Sequence, residues 1–159
     1  MSEVAADRWI ELLRQILVCG QMLGEAISHW AGRRGLRQRE FFLLWACQHA
    51  QPLGIGQNEL ADVMAVSAAH VSGLVEQLRS RGLLRGWRPP SDRRRQLWRM
   101  TPAGEKALKA VLGDLADWAQ QVQTQLGSGA GRMLHRQMEQ LVTMLRQQPD
   151  RVGGHRGAA

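Results

Sequence analysis

Tyrosine is missing from this 159-residue chain, phenylalanine occurs twice, and the only lysines are Lys106 and Lys109. Cysteine is limited to Cys19 and Cys47, with neither a CxxC pair nor a Cys/His ligand spacing, which excludes a disulfide scaffold and a zinc module. Both lie in apolar helical stretches and are expected to be reduced, buried and inert, with oxidant sensing by a thiol as the alternative. No apolar run approaches the roughly 18 residues a membrane span needs. The first residues carry Glu3, Asp7 and Glu11 in place of a basic leader region, so a cytoplasmic protein with no membrane partner is expected. Catalytic signatures are missing too: there is no nucleophile elbow, phosphate loop, HExxH or paired-carboxylate arrangement. The expectation is therefore no enzyme, no catalytic residue, no cofactor and no metal. Glu25 and His29 stand one helical turn apart, but two ligands make a poor site.

Arginine is what the chain has in excess. The net charge is +7, with lysine supplying only two of the 21 basic residues. Eight arginines (79, 81, 85, 88, 93, 94, 95 and 99) fall within one short stretch whose only acid is Asp92. Arginine presents a planar fork of donors to phosphate and to base edges, and it stays charged. A solvated charged face explains a basic patch equally well until the architecture around it is considered.

Periodicity supplies that architecture. Trp9, Leu13, Ile16, Gly20, Leu23, Ile27 and Trp30 step by fours and threes, predicting a long helix over about 7–31 with an apolar seam. A second helix is predicted from Gln38 to Ala50, ended by Gln51-Pro52-Leu53-Gly54. Two short helices follow, Gln57 to Met64 behind Gly56 and Ala68 to about Ser80 behind Ser67, a residue suited to capping. The second has Val71, Leu74, Val75 and Leu78 on one face, and Ala69, Ser72, Gly73 and Glu76 on the other. Two short helices joined by a tight turn, one with a small or polar face, describe a helix-turn-helix. Past Gly82, Leu83 to Trp87 and Gln96 to Thr101 read as strands, the latter alternating as a half-buried strand. Between them Arg88 to Arg95 forms an exposed hairpin tip. Thr101-Pro102 opens a helix to about Leu126, GSGAG breaks it, and a last helix from about Arg132 to Gln147 is expected to bury Leu134, Met138, Leu141 and Leu145. Trp9, Trp30 and Trp118 are expected to pack a dimer core. The tail 150–159 is expected to be disordered.

The segment NELADVMAVSAAHVSGLVEQLRSRGLL, then Pro90 to Arg94, then Met100-Thr101-Pro102-Ala103-Gly104, resembles the MarR (multiple antibiotic resistance regulator) family of winged helix-turn-helix regulators. Leu60-Ala61, Val66-Ser67, Val71-Ser72, Leu74-Val75, Leu78, Arg81-Gly82-Leu83, Asp92, Arg94, Thr101 and Gly104 stand at the family's spacing. The chain departs from the pattern at Gly86, where arginine is frequent, and at Trp98, where an aliphatic residue is usual. The face at Ala69 and Gly73 is barer than most. The resemblance implies a mainly α fold with a small β-hairpin wing: one domain over 1–149, a winged helix-turn-helix lobe over about 38–101, and dimerisation helices over about 7–31 and 102–148. It further implies a homodimeric transcription regulator, usually a repressor, bound to an inverted-repeat operator in double-stranded DNA and released by a small-molecule effector. A winged-helix module for protein interaction or RNA is the rival reading.

Site residues follow from that frame. Ser67, Ala69, His70, Ser72, Gly73 and Gln77 are the expected contacts of the second helix, and Arg85, Asp92, Arg93, Arg94 and Arg95 those of the wing. Asp92 is expected to orient the Arg94 side chain. Arg79, Arg81 and Arg85 reach a phosphate or are merely solvated, and Glu76 accepts from a base or orients an arginine. An effector pocket is expected around Trp30, Phe41 and Trp45.

Overall fold

In a computed structural model, residues 3–127 and 129–147 are described. The expected tail at 150–159 lies outside the described residues. Contacts divide the chain into two compact units, residues 1–114 and 115–159.

The first unit opens with helix α1 (Glu3–Arg33), four residues longer at its start than the apolar seam alone suggests. Gly35, at φ +71, turns the chain into α2 (Gln38–His49). Then come β1 (Ile55–Gly56), α3 (Gln57–Met64), α4 (Ala68–Ser80), β2 (Leu84–Trp87), β3 (Leu97–Met100) and the start of α5 (Pro102–Leu126). The second unit holds the rest of α5 and α6 (Ala130–Gln147).

β1 is the element that local sequence pattern does not reveal. At two residues it is too short to show a period, and it exists through its partner: Ile55 pairs with Trp98 and Gly56 with Leu97. The antiparallel sheet therefore runs β1-β3-β2, with β3 in the middle. That corrects the alternation expected for β3. Leu97, Trp98 and Met100 are all buried, because a central strand in a lobe this small is covered on both faces. The core of the unit comprises Phe41, Leu43, Leu44 and Cys47 of α2, Leu60 of α3, Val71, Val75 and Leu78 of α4, and Leu108 and Val111 of α5.

The joints are polar and local. Ser67 Oγ accepts the amide of His70 at 3.2 Å, capping α4 as its sequence suggests. Gly82, at φ +69, ends α4 in the left-handed conformation that suits glycine. Thr101 Oγ1 donates to the Gly82 carbonyl (2.7 Å) and accepts the Gly104 amide (3.1 Å), so one hydroxyl clamps the α4–β2 turn to the start of α5. A Cβ at Gly104 would run into the Leu83 carbonyl oxygen, which explains a glycine in the first turn of that helix.

Glu40 is the one buried charged side chain among the described residues. It accepts the Arg37 amide at 2.7 Å and both carboxylate oxygens receive Arg81 at 3.0 Å, while Arg81 also donates to the Gly35 carbonyl at 2.6 Å. Arg81 thus belongs to the scaffold, a role that neither a phosphate contact nor simple solvation describes. Removing it strands a carboxylate in the core. Arg81→Ala is expected to lower unfolding stability by about 2–3 kcal/mol in urea titrations, and Glu40→Gln by less, because an amide leaves no buried charge. Equal, near-zero losses in both would show that the pair does not hold the lobe together.

Apolar rows on α1 and on α6 are exposed. Trp9, Leu13, Leu17 and Leu23 are exposed on α1, as are Met133, Leu134, Val142 and Leu145 on α6. The expected burial of Leu134 and Leu145 is thus not met inside one copy, and Met138 and Leu141 are only half covered. Trp30 and Trp118 are half-buried, whereas Trp9 is 56% exposed. Cys19 is exposed as well, contrary to the expectation that both thiols are interior.

Candidate nucleic-acid interface

The face of α4 opposite its buried row is open. Ala69, His70, Ser72, Gly73 and Gln77 are all exposed, with Ser67 at its start. A Cβ on Gly73 would meet nothing within 4 Å, so an approaching surface can come down to the backbone there. Small residues at two positions and hydrogen-bonding groups at the others make a face that fits closely and reads polar edges. His70 does not stand alone: Nη1 of Arg39, on α2, lies 2.7 Å from its Nε2. The contact ties the side chain of α4 to that of α2. Glu76 accepts two hydrogen bonds from Arg79, at 2.9 and 2.7 Å. Each group favours the charged form of the other, so the Glu76 carboxyl is held below its ordinary pKa and the Arg79 guanidinium above.

The wing comprises β2, β3 and the loop between them, whose residues 90–96 are exposed. Arg85 projects from β2 into solvent, opposite Arg99 in the ladder. Arg99 is engaged by its own lobe: its guanidinium carbon lies 3.5 Å from the Trp87 ring centroid, and it donates to the Leu53 carbonyl. At the tip, Asp92 Oδ1 accepts the backbone amide of Arg94 at 3.1 Å. The expected carboxylate–guanidinium pairing within Asp92-x-Arg94 is therefore replaced by an Asx-type turn, which shapes the loop and leaves the Arg94 side chain outward. The arginine that a carboxylate does hold is Arg95, whose Nη2 donates to Glu59 Oε1 at 2.8 Å.

Glu59 was not among the residues expected at the site. Its Oε2 accepts the Gly56 amide at 2.7 Å, closing the first turn of α3, while its other oxygen holds the wing. The Gly56 amide and then Arg95 keep its carboxyl below the usual carboxylate range. The signal was a glutamate three residues after a helix-capping position, which announces the cap; the wing contact is long-range and left no trace in local pattern.

The aromatic residues expected to line one pocket divide. Phe41 turns into the core at 2% exposure, and Trp45 faces outward beside His49. The cleft in this region, about 490 Å³, is lined by Arg39, Phe42, Trp45 and Val63, with Phe42 in the place expected for Phe41. Trp30 is half-buried on α1 and does not line it. Among the described residues no three His, Cys, Asp or Glu side chains gather where a metal could bind. None of the described helices is long and apolar enough to cross a membrane.

A helix-turn-helix whose second helix is open on one face, followed by a hairpin tipped with arginine, defines a winged helix-turn-helix protein. Likeness to known proteins refines that class. Residues 36–95, from the end of the α1–α2 turn to the wing, match the model of the MarR family. Solved structures of MarR-type regulators share the fold across most of the chain. CouR from Rhodococcus jostii RHA1, solved bound to p-coumaroyl-CoA, superposes with a TM-score of 0.74 at 23% identity, over 88% of this chain and 95% of its own. A MarR family transcriptional regulator from Rhodococcus sp. RHA1 gives 0.71 at 21% identity, over 88% and 96%. MepR from S. aureus, in a DNA complex, gives 0.70 at 18%, over 84% and 94%. No curated protein matches the chain significantly in sequence.

Two outcomes test this geometry. If Glu59 is the strut of the wing, Glu59→Gln should speed amide hydrogen exchange at residues 93–96 about two- to fivefold, the scale of an exposed ion pair worth about 0.5–1 kcal/mol. Unchanged exchange would mean that the Arg95 contact does not restrain the loop. The second concerns Cys47, whose thiol burial pushes up to about 12. At pH 8 roughly one molecule in ten thousand then carries the reactive thiolate. Iodoacetamide should spare Cys47 in the native protein and label it readily in urea, as peptide mass analysis would show.

Proposed function

We propose that this protein is a DNA-binding transcription regulator that grips an inverted-repeat operator as a homodimer. In this reading α4 lies in the major groove and presents Ala69, His70, Ser72, Gly73 and Gln77 to base edges, with Ser67 at the backbone. The wing brings Arg93 and Arg94 to the adjacent minor groove, where a narrow A·T-rich stretch concentrates negative potential. Arg85 adds phosphate attraction from β2. Asp92 shapes the tip, and Arg95 holds the tip to α3. The observation that carries the reading is the joint placement of an open recognition-helix face and an arginine-rich wing on one lobe that matches a family of regulators.

Self-association rests on the uncovered apolar rows. Trp9, Leu13, Leu17 and Leu23 on α1, and Met133, Leu134, Val142 and Leu145 on α6, are too many large side chains to leave in water. A second copy supplies the matching surface, and its two-fold axis gives the operator its inverted repeat.

Release by a small molecule, and hence repression, is the finer part of the proposal. It is supported by the cleft beside Phe42, Trp45 and Arg39, and by the likeness in fold to a regulator solved with an acyl-CoA ligand. The thiol alternative loses ground at Cys47, where burial keeps the sulfur protonated.

Selection from a random duplex pool tests the core of this. The expected product is an inverted repeat with half-site centres about one helical turn apart. On that duplex Arg94→Ala should weaken binding by about 1–3 kcal/mol, with the dimer intact by sedimentation. Enrichment of RNA or of asymmetric sites, or a stable monomer at micromolar concentration, would overturn it.

A further inference from the structure

A second basic surface borders the recognition helix on the side where α2 begins, separate from the wing. Between the first turn of α2 and the open face of α4 runs a groove of about 520 Å³. One wall is Ala69, His70, Gly73 and Gln77 of α4; the other carries Arg37 and Arg39. No carboxylate lines it. The nearest buried acid, Glu40, has both oxygens on Arg81, so its charge is compensated inside the lobe. Both arginines of the groove are exposed, in contrast to the half-buried Arg99 stacked on Trp87. The groove is concave, positive and open along α4.

Its position limits what enters it. A helix seated in a major groove about 12 Å wide has a sugar–phosphate strand on either flank. The α2 side of α4 is one such flank, and there the protein offers two guanidinium groups. Arg39 is aimed into the groove by His70, which accepts its N–H at 2.7 Å. The arginine brings the guanidinium to this spot, and the contact with the histidine holds it there. Gly73 keeps the floor low, with nothing standing where a side chain would rise.

We infer that Arg37 and Arg39 form a seat for a backbone phosphate of duplex DNA, a third point of attachment in addition to the recognition helix and the wing. The inference rests on the DNA-binding reading above. It assigns the α2 arginines to affinity, with no part in sequence choice, because a phosphate carries no base information.

Binding of the wild-type protein to its selected duplex and to a scrambled duplex, by fluorescence anisotropy over a range of salt, is the test. Arg39→Gln and Arg37→Gln should each weaken both duplexes alike, by roughly three- to tenfold at moderate salt. Each should also lower the salt slope by about 0.9 for every phosphate that is no longer neutralised. Arg39→Lys should keep most of the slope. Thermal melting should be unchanged, since neither side chain is buried. The inference is overturned if the slopes stay at the wild-type value. It is overturned equally if the Arg39→Gln loss is confined to the selected duplex and vanishes in a His70→Ala background, for Arg39 would then act only by placing His70. Failure of the wild type to bind either duplex would instead refute the DNA-binding reading itself, and the phosphate seat with it.

Discussion

Everything that faces outward in the first unit is referred to one inward-facing carboxylate. Glu40 sits among apolar side chains at 2% exposure, a position an unpaired charge could not hold. Arg81 compensates it from the end of α4, and the Arg37 amide and the Gly35 carbonyl complete the set. Two stretches distant in sequence are thereby registered: the α1–α2 turn with the first turn of α2, and the end of α4. Apolar packing alone would allow α4 to slide or rotate on α2, because dispersion contacts have little directional preference. A charge-assisted pair that engages both carboxylate oxygens has a strong one. α4 therefore has a fixed rotation about its own axis, which the proposed reading of base edges would require.

The arginines divide by whether the protein itself answers them. Arg34 is held by Asp114, Arg79 by Glu76, Arg81 by Glu40, Arg95 by Glu59 and Arg99 by the Trp87 ring. Arg93 and Arg94 at the tip, Arg85 on β2, and Arg37 before α2 are exposed around the open face of α4. Net charge counts these groups alike, but their consequences differ. A guanidinium already paired brings little new attraction to a polyanion, whereas an exposed one displaces counterions when it meets a phosphate. Composition counts every guanidinium; pairing decides which of them are left open to a partner.

What was legible in the sequence was whatever repeats at short range. The 3.6-residue row of α4, the Ser67 cap and the Gly82 stop all carry local signals, and the structure has them where those signals place them. The resemblance to MarR regulators rested on the same local marks. Features settled by partners far along the chain were not legible. β1 exists because β3 pairs with it, Arg81 is structural because Glu40 is buried 41 positions away, and the Arg95 pairing crosses from wing to α3. Asp92 misled for a related reason: its two-residue spacing from Arg94 suits a guanidinium on an extended strand, but in a turn the nearer amide wins. Phe41 and Trp45, four residues apart, were read as one face. The core takes the smaller ring, and Trp45 is left at its rim.

The sheet explains why the wing belongs to the lobe as firmly as α4 does. β1 ends at Gly56, whose amide is the one that Glu59 accepts, and the next residue begins α3. β1 also pairs with β3, the inner strand of the wing, so the cap of α3 and the wing share a hydrogen-bonded ladder. Glu59 ties the loop beyond that ladder to the same helix through Arg95. The start of α3 is thus connected to the wing twice, once through backbone and once through a side chain, while α3 packs against α4. α3 therefore links the wing and α4 through hydrogen bonds on one side and packing on the other. The cleft beside Phe42 and Trp45 also touches Val63 and Met64 at the end of α3. Under the proposed function, an occupant there would bear on the helix that joins α4 to the wing.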